Sequence, residues 1–185
     1  MVLVLAGPNG SGKSTITRYF DTVGTYTNAD DVVRKSGIRN QEAAKLVDEL
    51  RYESISNKED FAFETVLSSK YKVEILKKAK DEGYFIKCVF VLTVDSSINV
   101  MRVKSRVAAG GHDVDKEKII SRYKKSLQNI PIVFELCDIV HVYDNTDDEP
   151  FRIIRKHKDE LTIYPNEYWS EDDIMSLLWG KPNNS

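Results

Sequence analysis

Apolar positions along the chain switch between a strand period and a helix period. Val2 to Ala6 (VLVLA) is a continuous β-branched and apolar run, the pattern of a strand buried on both faces of a parallel sheet. A Gly-rich loop follows, and then a helix predicted from Lys13 to about Phe20. Thr25 to Ala29 predicts a second short strand, with one helix opening at Asp30 and another from about Asn40 to Ser56. Phe61 to Glu64 (FAFE) predicts a third strand, Ser69 to Glu82 a helix stopped by Gly83, and Tyr84 to Val94 the longest strand. Asp95 or Ser96 can cap a helix running to about Ala109 and ending at Gly110-Gly111. Asp115 can cap the next, which is expected to end before Pro131. Ile139 to Tyr143 predicts the last parallel strand, residues 151–163 suggest a hairpin, and Ser170 caps a terminal helix to Trp179. This alternation predicts an α/β fold: a doubly wound, mainly parallel five-stranded sheet with helices on both faces and ligands at the carboxyl ends of the strands.

The length of 185 residues is that of one domain with a proper core, here residues 1–185 with a C-terminal extension from about 150. No apolar run is long enough to cross a membrane and the N-terminus lacks a signal-peptide pattern, so a cytoplasmic protein is expected. Cys88 and Cys137 sit in apolar runs without metal spacing and are expected as small buried hydrophobes. The net charge of −2 argues against a general nucleic-acid binder. Its distribution matters more than its total: Arg102 to Lys125 holds eight Lys or Arg against three Asp or Glu. That stretch is either a phosphate-holding segment or a solvated helix pair.

Gly7-Pro8-Asn9-Gly10-Ser11-Gly12-Lys13-Ser14 matches G-x-x-x-x-G-K-[ST] at every fixed position and lies between a predicted strand and a predicted helix, the context a phosphate-binding P-loop requires. Glycines let successive N–H groups turn toward a β-phosphate, and the helix opening at Lys13 adds the positive end of its dipole. Lys13 is expected to reach the β- and γ-phosphates of ATP or GTP, and the Ser14 hydroxyl to bind Mg²⁺. Thr15 adjoins the site or is an ordinary first-turn residue. The expectation is a P-loop NTPase fold.

Further candidates stand where strands reach the ligand edge. Asp30 ends TYTNAD, where a carboxylate can take the proton of an attacking hydroxyl or simply cap the following helix. Asp31 and Arg34 are neighbours that could share substrate contacts. Glu64 closes FAFE, followed by Thr65; a charge at the end of an apolar strand suggests substrate binding or a link to Mg²⁺, against the alternative of a surface Glu. Arg102 and Arg106 lie one turn apart, opposite the stripe of Val100, Val103 and Val107, as phosphate-covering arginines or solvent-facing ones would. The paired glycines beside His112 would hinge a helical lid over about 102–125, with His112 either touching substrate or merely solvated. Arg122 flanks the stripe of Ile119, Tyr123, Leu127 and Ile130 and can look into the cleft. Asp144-Asn145 reads as a turn.

AGPNGSGKST, NADDVVR, FETVLSS, RVAAGGHD, SRYKKSLQNIP and VYDN occur in this order, and from Met1 to about Asn145 the chain resembles small kinases of the zeta-toxin family. The resemblance implies phosphorylation of UDP-N-acetylglucosamine by a nucleoside triphosphate, with Asp30 as base, Glu64 and Thr65 on sugar hydroxyls, and Arg106 and Arg122 at the phosphates. It also implies an antitoxin as a possible partner. Two other classes remain open: a nucleotide-dependent switch acting on a macromolecule, and a kinase for nucleic-acid ends, which the lack of an interleaved aromatic and basic pattern disfavours. AAGGHD is a poor match to the LSGGQ signature an ABC-type ATPase would need.

Overall fold

The computed structural model describes residues 1–111 and 113–180. Its centre is a sheet in the order β2-β3-β1-β4-β5-β6-β7. The strands are β1 (Val2–Ala6), β2 (Thr25–Thr27), β3 (Phe61–Thr65), β4 (Ile86–Leu92), β5 (Ile139–Asp144), β6 (Phe151–His157) and β7 (Glu160–Ile163). β1 to β5 are all parallel, as the apolar runs imply. The sheet nevertheless has seven strands rather than five, because residues 151–163 form an antiparallel hairpin on β5. Arg152, Arg155 and Lys156 interrupt its apolar pattern, which is why it is weak in sequence; a turn with Lys158 at φ 53° closes it.

Eight helices surround the sheet among the described residues: α1 (Lys13–Thr17), α2 (Ala29–Ser36), α3 (Asn40–Ser56), α4 (Lys70–Asp81), α5 (Ser96–Ala108), α6 (Lys116–Gln128), α7 (Ile130–Leu136) and α8 (Glu171–Trp179). Asp95, Asp115 and Ser170 cap α5, α6 and α8 as expected. Several boundaries differ from expectation: β2 stops at Thr27 rather than Ala29, β4 is shorter than residues 84–94, and α7 is an additional helix. The first helix ends at Thr17, three residues short of Phe20. Pro131 does not simply follow the end of α6; it lies in the first turn of α7, where its missing N–H costs nothing.

The main core packs Val2, Val4, Phe61, Phe63, Cys88 and Phe90 against α4, α7 and α8. The opposite face buries Leu3, Leu5, Val89 and Val91 under Ile16 of α1. Cys88 and Cys137 are free and buried. α5 and α6 share a small cluster of their own, Val100, Val103 and Ile119, at the edge where the parallel strands end. No helix among the described residues is long and apolar enough to cross a membrane.

Candidate functional site

The turn from β1 into α1 is built around three glycines with positive φ, and two of them show why glycine is needed. At Gly7 (φ 145°) a Cβ would stand 2.1 Å from the Val91 carbonyl oxygen, and at Gly12 (φ 83°) 2.0 Å from Nδ2 of Asn145. Two asparagines brace the loop from outside. Asn99 Nδ2 donates to the Asn9 carbonyl (2.7 Å), and Asn145 Nδ2 donates to the Ser11 carbonyl (2.8 Å). The Asn99 carboxamide oxygen in turn accepts from the Thr93 hydroxyl. Among the described residues, the N–H groups of Gly10, Gly12, Lys13 and Ser14 have no partner in the protein. A concave row of unsatisfied donors at a helix start suits the oxygens of a phosphate chain.

Lys13 is buried at the floor of this turn. Its ammonium donates to the carbonyls of Gly7 (2.8 Å) and Pro8 (3.2 Å) and lies 3.8 Å from Oε1 of Glu64. Burial lowers its pKa; Glu64 and then Asp30 oppose that, while Arg106 adds to the lowering. The charge therefore faces two carboxylates and a second cation within one space.

That space is a cavity of about 870 Å³ at the carboxyl ends of β1 and β3, lined by Asn9, Lys13, Asp30, Glu64, Arg106 and Arg122 among others. The predicted site residues converge here from distant parts of the chain. Arg122 Nη1 reaches Oδ1 of Asn9 (3.3 Å), so α6 leans over the loop. Thr65 lines the cavity, its hydroxyl accepting from the Leu67 N–H (3.1 Å). Asp30 does not cap α2: Asn28 does, accepting from the Asp30 N–H (3.0 Å), which leaves the Asp30 carboxylate in the first turn beside the cavity.

Other predicted residues lie elsewhere. Asp31 and Arg34 pair with each other on the surface at 2.6 Å, and neither lines the cavity. Arg102 turns away from it, donating to the carbonyls of Asn145 (2.6 Å) and Thr146 (3.0 Å). Ser14 is exposed and borders a separate, smaller recess with Thr17 and Tyr26. His112 lies outside the described residues. No group of three or more His, Cys, Asp or Glu able to hold a metal occurs among the described residues.

Sequence reasoning missed Asn99, an ordinary residue on α5, and it missed a buried ionic group on the opposite wall. Arg51 of α3 is 1% exposed and paired with Asp48, which also binds Lys72 of α4. Only its place inside an otherwise amphipathic helix could have drawn attention to it.

A glycine-built turn on a parallel sheet, with a buried lysine and two arginines facing two carboxylates, is the arrangement of a P-loop NTPase fold of kinase type. The Zeta toxin family model matches residues 26–166, and the chain belongs to that family, whose members are kinases. The match begins after the phosphate loop, so loop and family are independent observations. A structure of the AvrRxo1-ORF1:-ORF2 complex with ATP superposes with a TM-score of 0.65 at 12% identity, covering 100% of this chain and 64% of that one. The chain thus spans less than two thirds of that relative's length. A structure from the PezAT chromosomal toxin-antitoxin system of Streptococcus pneumoniae gives 0.56 at 16% identity, covering 78% of this chain and 66% of that one. At these identities the likeness shows the fold. An uncharacterized protein of Haemophilus influenzae is 28% identical over 123 residues, 63% of this chain and 88% of its own length.

Proposed function

We propose that the protein transfers the γ-phosphoryl group of ATP or GTP to a hydroxyl of a small acceptor, with a UDP-amino sugar such as UDP-N-acetylglucosamine as the leading candidate. The observation that carries this reading is the single cavity in which Lys13 meets Asp30, Glu64, Arg106 and Arg122. A loop built only to hydrolyse nucleotide needs no pair of carboxylates brought from α2 and β3 into the same cavity.

In this mechanism the loop N–H groups and Lys13 hold the β- and γ-phosphates, the ammonium exchanging its loop carbonyls for phosphate oxygens. Asp30 accepts the proton of the acceptor hydroxyl and aligns it with the γ-phosphorus. Glu64 and Thr65 take neighbouring hydroxyls, and Arg106 and Arg122 stabilise the charge that spreads over the transferring group. Bound through Ser14, Mg²⁺ would supply neutralisation of the β- and γ-oxygens. An antitoxin is the expected protein partner, by analogy with the PezAT system.

The test is incubation with ATP or GTP, Mg²⁺ and a panel of UDP-sugars, read by mass spectrometry for a product heavier by one phosphoryl group, with Lys13→Ala as control. A product that requires Lys13 is expected. No product with any sugar would remove this acceptor class, and nucleotide-dependent capture of a macromolecule with no phosphorylated product would favour a switch.

A further inference from the structure

β2 and β3 run side by side only as far as Thr27 and Phe63. Beyond that pair β3 continues along β1 to Thr65, whereas β2 turns off at Asn28 into α2. The strands therefore part where the acceptor side of the cavity opens, and no ladder hydrogen bonds hold their ends. One side chain fills the gap. Arg51 donates from Nη2 to the carbonyls of both Thr27 and Glu64 (3.3 Å each) and from Nε to the Thr27 hydroxyl (2.9 Å). Its third nitrogen, Nη1, donates to Asp48 (2.8 Å), and its guanidinium stacks 4.4 Å from the centre of the Phe63 ring. Asp48, itself buried, is held at both carboxylate oxygens by Lys72 (2.7 and 2.6 Å).

We propose that Arg51 is a positioning residue for phosphoryl transfer, bridging the parted ends of β2 and β3 so that Asp30 and Glu64 stay at a fixed separation. The proposal rests on the kinase reading above and adds a residue to it. A guanidinium suits the task because its planar fork reaches several carbonyls at once; an ammonium is a point charge that cannot. A buried cation this costly to desolvate is retained where the geometry it enforces has a use. Asp30 follows Thr27 by three residues and Glu64 is itself gripped, so loosening the bridge moves both carboxylates; the phosphate loop, braced by Asn99 and Asn145 and touching β3 through the Gly7 N–H on the Thr65 carbonyl and the Lys13–Glu64 pair, moves less.

Two pairs of variants test it. Arg51→Lys should lower kcat for transfer by about a hundredfold, the scale of an ångström of misplacement, while nucleotide Kd changes far less, because the loop N–H groups and the carbonyls that hold Lys13 make no bond to Arg51. Thr27→Val, which removes only the hydroxyl acceptor, should lower kcat by roughly tenfold, and Thr27→Ser should restore it, since both effects come from alignment. Amide hydrogen exchange supplies a readout that needs no acceptor: residues 28–30 and 64–66 should exchange faster in Arg51→Lys and Thr27→Val, with residues 9–14 unchanged. Unaltered exchange at the strand ends, equal loss of nucleotide affinity and transfer, or no rescue by Thr27→Ser would overturn the proposal. If Arg51→Lys fails to fold, the Thr27 pair decides. Nucleotide-dependent capture of a macromolecule by the wild-type protein with no phosphorylated product, combined with the local exchange change, would reject the kinase reading and leave the bridge standing.

Discussion

Two buried cations face the same cavity, and their surroundings differ in kind. Lys13 sits in an eight-residue loop and satisfies its ammonium with carbonyls five and six residues away. Arg51 gathers Thr27, Asp48 and Glu64, up to 24 residues away, and shares Asp48 with Lys72. The Lys13 wall thus starts from a local glycine turn, braced from outside by Asn99 and Asn145, whereas the Arg51 wall is assembled from β2, β3 and α3. Local construction keeps a nucleotide site unchanged while the remote wall varies with the acceptor, which is how one fold serves many substrates.

The contrast can be broken most directly at Lys13. Lys13→Ala is expected to reduce transfer by on the order of a thousandfold or more, with nucleotide affinity falling too, because it removes a preorganised charge from the donor. Nucleotide titration and single-turnover assays would check it, and intact affinity would deny Lys13 its place on the donor side. Asp30→Asn should cost about 10²–10⁴-fold in transfer, the range for a general base, and leave nucleotide binding alone. Full turnover in that variant would sink Asp30 as base, and a fall in nucleotide affinity would erase the boundary between the two sides. Asn99→Ala removes the donor that braces Asn9 from α5 and should destabilise the loop by about 1–3 kcal/mol. Weaker nucleotide binding by calorimetry, with the hydrogen exchange of residues 64–66 unchanged, is the expected sign that the two walls are independent.

The smallest effect lies outside both regions and separates general stability from site chemistry. Burial, then the neighbouring Arg152, Lys87, Arg155 and His157, holds His141 down to about 4 against an ordinary value of 6.5. Between those values the unfolded chain binds the proton and the folded one does not, so stability should fall as pH drops from 6.5 toward 4. Thermal melts should show a shallower slope over that window in His141→Gln. An equal slope would assign the acid sensitivity to other groups.

Much of the architecture was legible because its signals are local. Apolar runs mark β1, β3, β4 and β5, Asp95, Asp115 and Ser170 mark helix starts, and the Gly-rich loop has fixed spacing. The errors share a cause as well. Of the two readings of Asp30, base or cap, the cap falls away, because Asn28 two positions earlier takes that role. Arg102 and Arg106 share one face of one helix and read alike, but the carbonyls of Asn145 and Thr146 claim Arg102. The hairpin at 151–163 was weak because its arginines and lysine interrupt the apolar alternation.

The chain by itself determined the glycine turn and which kind of sheet would carry it, since a glycine turn and an apolar run act through neighbouring residues and backbone conformation. Only the tertiary structure decided which charges meet. Lys13, Asp30, Glu64, Arg106 and Arg122 share one cavity because parallel strands end at one edge. Arg51 can stand buried between β2 and β3 because Asp48, one turn earlier on the same helix, pairs with its charge and because Thr27 and Glu64, which no sequence neighbourhood supplies, arrive there with it.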